Sequence, residues 1–273
     1  MKIFDCFLYF NEDLLLELRL NILNNYVTQF IIIEAAEDHQ GNNRKLNFDI
    51  KKFSKFKDKI KYVPLKKIPI DKNIKLPKNW HKGHLKEQSM RNSIGKYLDN
   101  AKPNDWIIIS DLDEIPNPKT FKRFNPKLKY AFFEQKFFSY KFNILNTTQP
   151  NWYGSRICVK KYLKSPQWLR GIKIKKRNIF KRYLFNLNYE IIKHGGWHFS
   201  NIKSPKEIIE KTNAFCHGEL NQDKFKKEEI IEKKIDQLKD IYNRKINYRK
   251  IDIDNSFPEF FTKNLGSYRN WIL

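Results

Sequence analysis

Acidic side chains are scarce in this sequence. Against 54 Lys and Arg stand 30 Asp and Glu in 273 residues, a formal charge of +24. The excess is largely lysine, and Asn and Ile are also abundant, so part of it is compositional habit. A field of that sign also attracts polyanions: nucleic acid, an anionic membrane face, an acidic glycan or a nucleotide diphosphate. Cysteine is scarcer still. Cys6, Cys158 and Cys216 are far apart and no C-x-x-C occurs, which argues against a disulfide framework and fits a reducing compartment. Long apolar runs are missing too. The most apolar stretch, Tyr26 to Ala36, is too short to span a bilayer. Met1 to Phe10 carries Asp5 and no small residues of a cleavage site. The expectation is a cytoplasmic protein, at most peripheral on the inner membrane face through its basic surface. No helix-turn-helix, zinc-finger or RNA-binding signature occurs, so no specific nucleic acid is expected as a partner.

What is present reads as a folded enzyme-sized domain: 40% hydrophobic and 15% aromatic residues, with no internal repeat and no linker. Lys2 to Phe10 predicts a strand. Asn11-Glu12-Asp13 opens a helix with an apolar stripe at Leu14, Leu15, Leu18 and Ile22. Thr28 to Glu34 is a continuous apolar run of the kind found in buried parallel strands. Strand, helix and strand at this spacing make a βαβ unit. Further strands are predicted at Lys59–Leu65, Trp106–Ser110, Tyr130–Tyr140 and Trp152–Lys160. Helices are predicted at Gly83–Asp99, after Ser204-Pro205, and over Lys224–Lys245. The alternation predicts an α/β fold with a mostly parallel sheet flanked by helices. The reading divides the chain at 220, with residues 221–273 as a basic, mainly helical extension packed on the rest.

In such a sheet, ligands collect at the carboxyl ends of the strands. The sequence WIIISDLDEIP puts Asp111 and Asp113 there, two apart, directly after a buried strand. Hard carboxylate oxygens in this place suit Mg²⁺ or Mn²⁺. Glu114 is expected to brace them. Arg91, on the preceding helix in EQSMRN, can fork onto a phosphate or onto one of these acids. Glu34 ends the second strand, where a carboxylate can take a ribose hydroxyl or a base amide. In HGGWHFS, the glycine pair permits unusual dihedrals, Trp197 can stack on a sugar face, and His198 can bind metal or phosphate. A zinc site from His194, His198 and His217 would need helical spacing that Gly195-Gly196 disfavours. Each of these motifs also has a plain structural reading: a capping carboxylate, a solvated arginine, an ordinary loop acid, a turn with packed aromatics.

The order FDCFLYFNEDLLLELRL, FIIIEAAEDHQGNNRKLNF, EQSMRN, DWIIISDLDEIP, GGWHFS and FCHGEL resembles glycosyltransferase family 17. The resemblance implies a GT-A-like (Rossmann-like) fold and a D-x-D motif at Asp111 and Asp113. It implies inverting transfer from a UDP-sugar, with N-acetylglucosamine as the sugar, to a glycan acceptor, with Mn²⁺ or Mg²⁺ as cofactor. It puts Glu34, Arg91 and His198 in or near the donor site, with Asp111 as a further donor-site residue. A general base must also take the acceptor proton; Glu134 and Glu219 are the candidates. Two other classes use the same features. A metal-dependent phosphoesterase or nuclease would release phosphate without a sugar acceptor, and a non-enzymatic nucleic-acid binder would bind random DNA or RNA with a steep salt dependence.

Overall fold

The computed structural model describes residues 1–78, 80, 82–174, 189–214 and 222–273. The N-terminal half is built as the hydrophobic pattern requires. Strands β1 (Ile3–Leu8), β2 (Gln29–Ala35), β3 (Ile60–Leu65) and β4 (Trp106–Ile109) lie in the order β3-β2-β1-β4, all parallel. Side chains alternate across a strand. Phe30, Ile32, Trp106 and Ile108 therefore enter one core, while Ile31, Ile33, Ile107 and Ile109 enter a second on the other face. Helix α1 (Asp13–Leu23) covers the first core with Leu15, Leu16, Leu18, Leu20 and Leu23. Helix α2 (Lys82–Ser93) lies over the second, through Met90.

Beyond β4 the sheet changes character. Strand β5 (Glu114–Pro116) is followed by β6 (Tyr130–Ser139), β7 (Ile144–Asn146), β8 (Asn151–Trp152) and β9 (Arg156–Val159). Strand β9 inserts antiparallel between β4 and β6. Strand β10 (Tyr189–Ser200) runs parallel to β6 and antiparallel to β5, and β11 (Tyr248–Lys250) pairs antiparallel with β7. The described sheet is thus mixed, with parallel pairing in its N-terminal half and at β6–β10. The mostly parallel expectation holds for the βαβ half. It fails where short strands return directly, without the helical crossovers that parallel pairing needs.

Residues from 221 onward add β11 to the sheet, and Phe257, Phe261 and Tyr268 to the first core. The single helix expected over Lys224–Lys245 is instead the shorter α5 (Glu228–Asp236), which follows α3 (Pro166–Gly171) and α4 (Pro205–Ala214). Leu238 and Asn243 take left-handed φ values of 55° and 59°, so the chain turns there and does not continue as helix. Ile231, Ile235 and Ile241 face inward, Leu238 is partly buried against them, and Ile230 is exposed. A short helix α6 (Glu259–Lys263) follows. At α4 a capping box is present: Ser204 N–H donates to Glu207 Oε2 at 2.8 Å, and Glu207 N–H donates to Ser204 Oγ at 3.3 Å. No helix among the described residues is long and apolar enough to cross a membrane.

Candidate active site

Strand β1 sends its chain to β2 on one side and has β4 as its other neighbour, so the carboxyl ends of β1 and β4 flank a topological switch. The loop Ser110–Asp113 follows β4 at that point, and Arg19 of α1 holds it. Arg19 is 0% exposed. Its Nε and Nη2 fork onto Asp5 of β1 at 2.8 and 2.6 Å. Its Nη1 donates to the carbonyls of Asp111, Leu112 and Glu114 at 3.1, 3.0 and 2.9 Å, and Nη2 to Ser110 Oγ at 2.5 Å. Buried carbonyls leaving a sheet need donors; here one guanidinium supplies three of them.

With its backbone fixed, the loop directs its acids differently. Asp111 Oδ1 accepts from Arg91 at 2.9 Å, and Oδ2 from Arg170 of α3 at 2.8 Å. Burial alone would raise this carboxyl, but Arg170 and Arg91 outweigh it and hold Asp111 well below the usual carboxylate range. Glu114 is the brace expected of it. Its Oε2 accepts from the Asp111 N–H at 2.9 Å, and Oε1 accepts from Arg170 and from Trp152 Nε1, both at 2.6 Å. Asp113 faces His198, with Oδ1 3.6 Å from Nε2, and Lys211, with Oδ2 3.9 Å from Nζ. Burial raises its carboxyl too, and His198 and Lys211 overcome it, so Asp113 also lies below its ordinary value. His198 stacks on Phe137 at 4.4 Å and lies 4.9 Å from the Trp152 ring; its Nδ1 is buried without a hydrogen-bond partner among the described residues.

Gly154 makes room for the brace. A Cβ there would lie 1.9 Å from Glu114 Oε1. Gly154→Ala is expected to displace Glu114 and cost about 1–3 kcal/mol of stability, the usual cost of overpacking. Gly266→Ala is the control, because a Cβ there meets nothing within 4 Å. Thermal melts of both variants check this.

Asp111, Asp113, Glu114, Arg91 and His198 line one cavity of about 430 Å³. The described lining carries seven carboxylates, from Glu12, Glu37, Asp38, Glu87, Asp111, Asp113 and Glu114, against four cations, from Arg44, Arg91, Lys211 and Arg244. The cavity is therefore acidic inside a basic protein. No three His, Cys, Asp or Glu side chains among the described residues form a ready metal cage.

Other expected residues are placed elsewhere. Glu34 is 0% exposed and lies behind the wall. Its carboxylate accepts from Arg44 at 3.0 Å, Asn47 N at 2.7 Å, Phe48 N at 3.1 Å and Tyr62 OH at 2.9 Å, so its acceptor positions are already taken and none is left for a ribose hydroxyl or base amide. The following loop reaches the cavity instead, through Glu37, Asp38 and His39. Trp197 is core: it packs in the first cluster and donates its Nε1–H to Ser256 O at 2.8 Å. Strand alternation sends His198 to the cavity and Trp197 away from it, and Trp152 is the tryptophan in the lining. Glu134 accepts from Tyr153 OH at 3.0 Å and is not among the lining residues described. Glu219, with Cys216 and His217, lies outside the described residues. The glycine pair is needed sterically. Gly196 has φ 146°, and a Cβ on it would meet Ile115 O at 2.2 Å.

Arg19, Arg170, Lys211 and Trp152 were not read as site residues. They carry no local motif; only Glu12, just past the end of β1, shares the strand-end position that marked Asp111.

A mixed α/β sheet with an acid pair and paired arginines opening at its strand ends defines an enzyme with an acidic cleft for a ligand. The chain matches the model of glycosyltransferase family 17 over residues 1–249 and belongs to that family; it is a glycosyltransferase, with a sugar donor and an acceptor as its substrates. The match passes residue 220 and ends within β11. No individual curated protein matches it in sequence.

Proposed function

We propose that the enzyme is an inverting, metal-dependent transferase of GT-A type that moves N-acetylglucosamine from a UDP-sugar to a glycan hydroxyl. One observation carries this reading: the excess of carboxylates over cations in the cavity. A diphosphate entering a cleft of that sign would be repelled unless a cation came with it. The donor set suits this. Asp113 and the facing His198 offer hard and borderline ligands, and Asp111 a second carboxylate, shared with two arginines. Mg²⁺ and Mn²⁺ are commonly held by one or two carboxylates and completed by substrate oxygens and water. Such a cation, when bound, neutralises charge on the leaving diphosphate.

The chain's own groups have the remaining tasks. Arg91 and Lys211 present positive charge to the departing phosphates, which is worth about 3–4 kcal/mol for a well-placed donor. Trp152 and Phe137 offer apolar faces, and His198 is held flat against Phe137. The acceptor hydroxyl attacks the anomeric carbon from the side opposite UDP, and a carboxylate takes its proton.

UDP-N-acetylglucosamine with Mn²⁺ at about 100 times Kd should stabilise the protein by about 2.7 kcal/mol, a shift of several degrees in Tm. The same nucleotide in EDTA should give little shift. Equal stabilisation with and without metal would overturn metal dependence, and stabilisation by another nucleotide sugar alone would overturn the donor.

A further inference from the structure

The cavity extends past the acid loop to a wall that the reaction above does not use. Asp113 lies 3.9 Å from Lys211. The next residue, Thr212, has its Oγ1 2.8 Å from Tyr242 OH, and the Arg244 guanidinium lies 5.2 Å from the Tyr242 ring centre. Tyr242, Arg244 and Tyr248 all line the cavity.

Arg244 is held as a recognition group is held. Asp240 is 1% exposed at its side chain and fixes Arg244, which is 47% exposed. The guanidinium Nε donates to Asp240 Oδ1 at 3.1 Å and Nη2 to Oδ2 at 2.7 Å. Asp240 is also held by the hydroxyls of Tyr140 and Tyr248, each 3.1 Å from Oδ2, and by the N–H groups of Tyr242 and Arg244. Its negative charge is therefore spread over several donors. The Nη1 edge of Arg244 makes no hydrogen bond among the described residues. A guanidinium with one edge locked and the other unspent is pre-organised for a second oxyanion.

We infer that this wall is an acceptor subsite for a sugar bearing an oxyanion, with the Nη1 edge of Arg244 taking a carboxylate or phosphate oxygen and the Tyr242 and Tyr248 rings flanking the sugar. The inference rests on the donor-and-acceptor reading above, with the donor on the β1–β2 side of Asp113. It gives the acidic cavity a second, positive end, and it makes acceptor selection a charge test.

The test uses the whole chain with Mn²⁺ and reads five affinities by calorimetry or ligand-observed NMR. The carboxylate arm compares cellobiouronic acid with cellobiose, the phosphate arm glucose 6-phosphate with glucose, and UDP is read separately. The wild type should prefer one acidic sugar over its neutral counterpart by roughly tenfold, as a charge-assisted hydrogen bond implies. Arg244→Gln should abolish that preference while UDP affinity holds and the protein still melts cooperatively, with Tm lowered only as far as loss of the half-exposed pair with Asp240 lowers it, and Arg244→Lys should keep part of the preference. The arm that shows the preference identifies the oxyanion. Equal affinity for acidic and neutral sugars in both arms, or a preference that survives in Arg244→Gln, overturns the inference. UDP that fails to bind the wild type counts against the donor reading alone, because the sugar arms are read without it.

Discussion

Asp113→Ala is expected to lower kcat by about 10²–10³-fold or more, the scale for losing one group that meets developing charge, while the fold survives. The fold should survive because the Asp113 side chain holds nothing together. It is 14% exposed, and its neighbours His198 and Lys211 stand at 3.6 and 3.9 Å, beyond good hydrogen-bond length. The structural bond at this position is made by the backbone, where Phe199 N–H donates to Asp113 O at 2.9 Å, and alanine keeps it. Removing the carboxylate leaves Lys211 and His198 with one anionic partner fewer and takes from the cavity a hard ligand. Asp113→Asn should behave similarly, since it keeps the shape and loses the charge. Steady-state transfer at saturating Mn²⁺, with melting curves alongside, checks this. Near-normal turnover in Asp113→Ala would remove the basis for the metal reading.

The second large effect is expected at Arg19, which touches no substrate. Arg19→Met should cost about 3–5 kcal/mol, the range for breaking a buried ion pair by removing one partner. Asp5 would be left charged and fully buried, and the carbonyls of Asp111, Leu112 and Glu114 would lose their common donor. Two losses are combined here, and a second variant separates them. Combining Arg19→Met with Asp5→Asn removes the stranded charge, so part of the stability should return. The loop carbonyls would still lack a donor, so transfer should stay depressed. Chemical denaturation and kcat measured on both variants decide this. If activity recovers in step with stability, Arg19 is only a core residue and does not set the loop.

These two residues also mark what could and could not be read from residue order. Asp113 was visible because a buried strand must end somewhere, and acids placed there have nowhere to point except outward. Arg91 was visible because a helix sits one connection earlier. Arg19 was not, since a lone arginine within the stripe LLLELRLNIL looks like one of the 54 basic residues of the chain. The general excess of lysine and arginine hides the few that are aimed. Glu34 and Trp197 are absent from the cavity lining for a different reason. Their positions in the sheet were correct, but each side chain's direction was decided by distant partners: Arg44, Asn47, Phe48 and Tyr62 around one, Ser256 beside the other. The parallel half of the fold followed from its hydrophobic runs. In the other half β6 and β9 lie within the strands expected at Tyr130–Tyr140 and Trp152–Lys160, but their antiparallel pairing did not follow, and strands of two or three residues such as β8 and β7 leave too little pattern to register.

The insertion of β9 between β4 and β6 has a consequence for the birth of the protein. The acid loop leaves the ribosome early, with Arg19 and Arg91 already made, but Arg170 lies 59 residues further along and Lys211 further still. At ribosomal speeds of about 5–20 residues per second, Asp111 waits about 3–12 seconds for its second guanidinium. During that interval β4 also lacks the neighbour that closes its open edge. The surroundings of the acid loop are thus completed late, from well-separated parts of the chain, and a truncated chain that ends at Pro116 has the acids with Arg19 and Arg91 but without Arg170 and Lys211.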